Sequence, residues 1–435
     1  MGAALAALRH GCSLALPAVP QADKKGAHSA LRVAGRVLMN GVISAGLLVV
    51  ALWALVLLAF ARPLRARWRE PVFRHPLLVI ESDDWGAGPL AQTEALGKIA
   101  AVLQSFRDGT GRHPVMTLGM VLEVPDSERM AQEELKAYRA RGLDDDCFGE
   151  LRRVIQAGVA SGVFTLQLHG QCHYWPQVLM AAAQRDDSVR NWLTGSRMPQ
   201  TENLPAHLQT RWIDAAQLPS RALDPMQMAE AAEQEAASFR KLFGRSPDVA
   251  VPTTYVWNGE VEVAWKKAGV EVVITPGRRA TCRDADGRLA GVDRRMLTGD
   301  LSDAGQCYLV RDVYCEPALG HAAQRLVDGL ADRARQGRAC LVEMHRFNFL
   351  QQMDQSLNVL RAAIEFSLER CPNLRFTTPL EIARSARSEN TALLETAFGA
   401  RLHAWLERLH EIPRFHGATR ITGLAFPLRL LERAL

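Results

Sequence analysis

Two adjacent carboxylates, Asp83 and Asp84, end the apolar run Leu77-Leu78-Val79-Ile80, and Gly86 follows two residues later. A short apolar run bounded by Pro76 and Gly86 reads as a strand buried on both faces, as in the parallel sheet of an α/β protein. Loops at the C-terminal edge of such a sheet converge on one pocket, so carboxylates there are placed for chemistry. A second apolar run, 163–168, leads into His169-Gly170-Gln171-Cys172-His173. Two histidines four apart share a face if the segment turns helically, and Asp84 would complete a two-histidine, one-carboxylate metal set. Such a set leaves open positions for water and substrate and suits zinc, but also iron, cobalt or manganese. A third run, 340–344, ends in His345. An imidazole titrates near neutrality, which suits His345 to hand a proton to a leaving amine.

Taken in order, Asp83-Asp84, His169-x-x-x-His173 and His345 resemble the polysaccharide deacetylases, the NodB-homology proteins of carbohydrate esterase family 4. The resemblance spans roughly 76–382 and implies roles by position. Asp83 would be the general base, Asp84, His169 and His173 the ligands of a divalent metal, zinc foremost, and His345 the general acid. It implies a distorted (β/α) barrel with fewer strands than eight, and hydrolysis of an N-acyl, typically acetyl, group on a carbohydrate or glycan. Three positions depart from the family pattern. Glu81-Ser82 stands where Thr-Phe is usual, with Trp85 ahead of Gly86; Gly170 replaces a Ser or Thr; and Val251-Pro252-Thr253-Thr254-Tyr255 is the counterpart of Arg-x-Pro but holds no arginine. Arg346 and Asn348, directly after the acid, are expected to bind substrate or to orient Asp83 in the missing arginine's place. Trp85, Tyr255 and Trp257 complete the expected substrate contacts. The rival readings are a deformylase or esterase acting on a lipid-linked sugar, and a non-catalytic carbohydrate-binding relative.

The elements that must position these residues begin with a membrane segment. No charged residue occurs from 37 to 61. At about 1.5 Å per residue, such a stretch crosses a hydrocarbon core of about 30 Å. The apolar run is too long for a signal peptide and no small-x-small site follows, so it reads as an uncleaved single-span anchor in a bacterial inner membrane. Lys24, Lys25, Arg32 and Arg36 on one side balance Arg62, Arg65, Arg67, Arg69 and Arg74 on the other, which leaves the side of the catalytic domain open. The net charge of +5 is a property of these flanks. Residues 1–76 carry ten Lys or Arg against Asp23 and Glu70, and the remainder carries 42 against 45, so a nucleic-acid partner is not expected. Cys12 precedes the anchor, and the seven cysteines beyond it, odd in number and without regular spacing, are no disulfide framework. Cys172, beside His173, is expected to pack rather than ligate.

From Leu77 onward apolar runs alternate with helical patterns, the rhythm of a parallel barrel or open sheet. Strands are expected at 115–118, 248–251, 270–275 and 374–377, and helices at 91–107, 148–162, 225–243, 259–268, 321–337, 354–371 and 379–388. Asp224-Pro225 is a strong helix start, with Gly244 as its stop. The polar insertion 174–222 has a helix-like piece at 177–184. Its Tyr174, Trp175, Trp192 and Trp212 either stack on sugar rings or fill a small subcore. The organisation expected is a basic segment 1–36, a membrane helix 37–61, a catalytic domain 70–388 and a C-terminal helical appendage 389–435.

Overall fold

The computed structural model describes residues 24–387 and 392–435, without the side chains of 24–32 and 34. Cys12, most of the basic segment and the junction at Ser388 and Glu389 lie outside the described residues. The centre of the fold is one parallel sheet of nine strands. In chain order these are β1 (Leu77–Gly86), β2 (Met116–Val121), β3 (Phe164–Leu168), β4 (Val249–Ala250), β5 (Val272–Thr275), β6 (Cys307–Val310), β7 (Val313–Tyr314), β8 (Ala339–His345) and β9 (Arg375–Phe376). Their spatial order is β6-β5-β4-β3-β2-β1-β8-β7, with β9 beside the start of β1.

The outermost strands, β6 and β7, are consecutive in the chain and separated by Arg311 and Asp312 alone. Two residues span at most about 11 Å between the flanking strands, so the sheet must roll until its edges nearly meet. The result is a distorted (β/α) barrel whose seam is the Arg311-Asp312 link. Strand alternation then sorts the side chains. Leu78, Ile80, Leu118, Leu166 and Val342 pack outward with Leu96, Ile155, Phe239, Trp265 and Ile364 of the surrounding helices. Leu77, Val79, Val249, Val251, Ile274, Leu309 and Leu341 pack together on the inner face. Each such burial contributes about 1.5–3 kcal/mol, which is why β-branched and leucine runs close here.

Helices Gln92–Gln104, Gly149–Ala160, Pro225–Phe243, Gly259–Lys267, Ala323–Arg335 and Met353–Arg370 agree with the expected positions to within a few residues. In Pro225–Phe243 the Asp224 carboxylate accepts from the amides of Met226 and Gln227, and Gly244 at φ 70° ends it. The sequence reading did not assign β6 or β7. The insertion folds as helices Pro176–Ala183 and Asp187–Gly195; Trp175 packs tilted on Trp212, and Trp212 packs edge to face with Trp265, all three within the main core.

The N-terminal helix α1 covers Lys24–Ala59, followed by α2 (Ala61–Arg69). Its segment Gly35–Ala59, with mean hydropathy 2.7 and 6% buried, is long and apolar enough to cross a membrane. The C-terminal appendage consists of three helices, α3 (Phe398–Leu409), α4 (Pro413–Thr422) and α5 (Ala425–Ala434). Val56 and Leu64 share a small core with Leu406, Leu409, Phe415 and Leu424, and the Trp53 indole donates to the Thr422 carbonyl at 2.8 Å.

Candidate active site

Inner-face parity carries the chemistry to the C-terminal rim. Continuing β1 inward past Leu77 and Val79 gives Glu81 and Asp83; continuing β3 gives Gln167 and His169; β6 gives Arg311; β8 gives Glu343 and His345. The β1–β8 register pairs Glu81 with Glu343 and Asp83 with His345. Asp84 has the opposite parity, yet it also turns into the site. Its φ is +73°, and the β1–β2 register shifts between Ser82 and Trp85, so a bulge cancels the alternation.

Asp84 Oδ1 stands 3.3 Å from Nε2 of His169 and 3.3 Å from Nε2 of His173. The three ligand atoms lie within 4.8 Å of one another and all three residues are buried. The histidines converge through a loop, not the helical turn expected from their spacing. The segment from 169 to 175 is irregular, and Gly170 at φ 116° reverses the chain after His169. His169 Nδ1 donates to the Val251 carbonyl at 2.9 Å, which turns Nε2 toward Asp84. Burial opposes the imidazolium, but Asp83 and Asp84 outweigh it and raise the ring above its ordinary value, so the site favours a cation on Nε2, whether proton or metal. Asp84 Oδ1 and His169 Nε2 are both buried without a well-directed hydrogen bond. Two buried lone pairs facing each other call for a cation between them, and the N, N, O donor set fits a divalent metal. Burial and the neighbouring ring hold His173 down at about 4, with Asp84 opposing, so its imidazole is neutral and free to ligate. Cys172 is elsewhere: its thiol donates to the Tyr174 carbonyl, and burial pushes it up to about 12.

Asp83 is held by Arg311, which the sequence reading missed. Arg311 Nη2 donates to Asp83 Oδ2 at 2.6 Å, both side chains being fully buried. Burial disfavours the Asp83 charge, and the Arg311 guanidinium together with His169 and His345 outweighs it and keeps the carboxyl below its ordinary value. Arg311 also donates to the Tyr255 hydroxyl at 2.9 Å, and that hydroxyl donates to Glu343 at 2.6 Å. Thr254 and Tyr255 are both left-handed, at φ 50° and 57°, a strained turn that carries the ring to Arg311. Below them Glu81 is buried, and burial pushes it up to about 8. Gly119 on β2 leaves room for the Asp83 carboxylate: a Cβ there would stand 2.3 Å from Asp83 Oδ1. The signal for Arg311 was present as Cys307-Tyr308-Leu309-Val310, an apolar run ending in charge like the other three.

His345 Nδ1 donates to Glu316 Oε1 at 2.6 Å, and Asn348 donates to Glu316 Oε2. Burial works against the imidazolium, but the hydrogen bond and charge of Glu316 carry His345 up to about 10. The ring is 23% exposed, against none for Glu316, so it presents a proton at the rim.

Four expected substrate contacts are corrected by burial. Trp85 is fully enclosed and donates to Ser82; Trp257 is enclosed and donates to Glu262; Asn348 is enclosed behind His345. Arg346 is buried and paired with Glu202 at 3.1 Å, away from the Asp83 carboxylate, so it does not replace the absent arginine. Tyr255 remains at the site, as a partner of Arg311 and Glu343. An open cleft of about 600 Å³ is lined by Glu123, Gln171, Trp175, Arg211, Glu230 and Gln234, and none of Asp83, Asp84, His169, His173 or His345 lines it.

The chain matches no protein-family model and no curated protein. Among solved structures it is similar to a family 4 carbohydrate esterase from Streptomyces lividans in complex with acetate, at 12% identity and a TM-score of 0.34, over 74% of this chain and 97% of that one. It is also similar to a family 4 acetyl xylan esterase from Clostridium thermocellum in complex with a cobalt ion, at 11% identity and TM-score 0.34, over 71% and 91%. A 4-alpha-glucanotransferase from Thermococcus litoralis is similar at 11% identity and TM-score 0.35, over 80% of this chain and 48% of that one.

Proposed function

We propose that this chain is a membrane-anchored, metal-dependent hydrolase that removes an N-acetyl group from a carbohydrate or lipid-linked glycan. The observation that carries the reading is the buried Asp84, His169 and His173 set, whose lone pairs face one another beside a carboxylate and an imidazolium of opposite function. When bound there, a divalent ion, zinc foremost, would supply Lewis-acid polarisation of the acyl carbonyl and of a water. Asp83, kept ionised by Arg311, accepts the proton of the attacking water. His345, kept protonated by Glu316, gives its proton to the departing amine. Arg311 acts through Asp83, and Glu316 and Asn348 act through His345. The sugar and the acetyl group come from the motif resemblance.

The anchor reading rests on α1. A segment removed as a signal peptide would not share a core with the mature chain, whereas Val56 packs with Leu406, Leu409 and Phe415. That packing supports an anchor kept in the mature chain.

The test is metal content of the full-length chain in detergent, wild type against His169→Ala, followed by acetate release from N-acetylated oligosaccharides with Asp83→Asn as the control. The expected result is near-stoichiometric metal that the His169 variant loses, and turnover that the Asp83 variant loses. No metal in either protein would overturn the proposal.

A further inference from the structure

The C-terminal helices leave a face that nothing among the described residues covers. Ile421 is 88% exposed and Phe426 70%, and Leu430, Leu431 and Leu435 are exposed beside them. Phe426 and Leu430 are four apart on α5 and so share one side of it. Arginines are interspersed with these apolar residues. Arg414, Arg420, Arg429 and Arg433 are all exposed, and the one acid in 413–435, Glu432, faces His410 at 3.5 Å. Arg62 and Arg65, on the first turns of α2, are exposed as well.

The position of this face relative to α1 says what meets it. A 30 Å core takes about 20 residues, so a span centred on Gly35–Ala59 ends near Leu57, and Trp53 lies about 6 Å inside that edge. The Trp53 indole is bonded to the Thr422 carbonyl, next to Ile421 and one short turn before Phe426. The corner between α4 and α5 is therefore pinned at the depth where an amphipathic helix seats, about 5–10 Å into the headgroup and acyl boundary. Apolar side chains with interspersed arginines at that depth match an anionic bilayer surface.

We infer that α4 and α5 form a second membrane contact, an interfacial collar around the base of α1 that inserts Ile421, Phe426 and Leu430 and meets anionic headgroups with Arg420, Arg429 and Arg433. This rests on the reading of α1 as a membrane span, and it goes further, because a single span alone would leave the domain free to tilt and rotate above the bilayer. Two contacts fix which face of the barrel looks at the membrane.

The experiment uses the full chain reconstituted into phosphatidylcholine vesicles containing a minor share of phosphatidylglycerol and a phospholipid with a photoactivatable headgroup-proximal label. Crosslinked peptides are mapped by mass spectrometry. Lipid crosslinks are expected both in 35–59 and in 413–435, with those in 413–435 falling by on the order of tenfold in the triple variant Arg420→Gln, Arg429→Gln, Arg433→Gln or when phosphatidylglycerol is omitted. Crosslinks in 35–59 without any in 413–435 would overturn the collar and leave the anchor standing. Absence from both segments would overturn the anchor reading and the collar with it. Peptides of 413–435 joined to a second copy of the chain instead of to lipid would also overturn the inference, in favour of self-association.

Discussion

Replacing Glu316 by Gln keeps the shape of a fully buried side chain and removes the charge that holds a proton on His345. With His345 at about 10, the neutral ring is about 1% of the population at pH 8. Losing the Glu316 bond and charge returns the ring toward 6.5, although Asp84 and Glu343 remain as raising neighbours. The neutral fraction at pH 8 should therefore rise by roughly 10- to 100-fold. Diethylpyrocarbonate modifies only neutral imidazole, so the assay is the rate of His345 modification in chelator-treated protein, read by mass spectrometry and normalised to exposed His410. Equal rates in the two proteins at pH 8 would refute the assignment of Glu316 as the proton's holder. Stability gives an independent reading. The folded value lies above the unfolded one, so the pair's contribution is fully present below about pH 6.5 and is lost as pH rises through about 10. At pH 8 it amounts to about 3 kcal/mol, and the variant should melt earlier there than at pH 10.5 relative to wild type.

Gly119→Ala should displace Asp83, because the new Cβ would meet Oδ1 at 2.3 Å; turnover is expected to fall about 10²-fold or more while metal content stays at the wild-type level. Arg311→Met leaves Glu81, Asp83 and Glu343 around a neutral side chain, and a thermal melt should register a loss of about 3–5 kcal/mol. Glu81→Gln tests a second group whose folded value lies above its unfolded one. Because burial raises this carboxyl to about 8, its contribution is full below about 4.5 and is lost as pH climbs to 8. The melting temperature of the Gln variant should gain on wild type steadily from pH 5 to pH 8, and a pH-independent difference would contradict that placement.

Strand ends were the legible part of the active site. Each of the runs ending at Asp83, His169 and His345 announces itself by apolar composition stopping in a polar residue, and the structure carries all three to the same rim. The donor types of Asp84, His169 and His173 were legible as a candidate metal set, whereas the bulge and loop that bring them together were not. The aromatic contacts were less legible. Trp85 and Trp257 sit beside motif residues in the sequence, but the bulge at Asp84 reverses the parity of Trp85, Trp257 lies in the loop before helix Gly259–Lys267, and both rings join the core of the helix layer. Arg346 illustrates the same limit: it follows His345 directly, yet its side chain runs to Glu202 in the insertion.

The sequence by itself determined the βα order, the N-cap and stop of Pro225–Phe243, the apolar α1, and which residue types stand at the strand ends, since all of these are local matters of periodicity, capping and composition. Only the tertiary structure decided the partners. Arg311 is 228 residues from Asp83 in the chain, and it reaches that carboxylate because rolling the sheet brings the β6–β7 link to the seam. Asp84 joins the histidines because a bulge reverses its parity, and Trp53 meets Thr422 because the C-terminal helices fold back across 369 residues. Contacts of such separation are set by how whole layers close on one another, and no window of local sequence contains them.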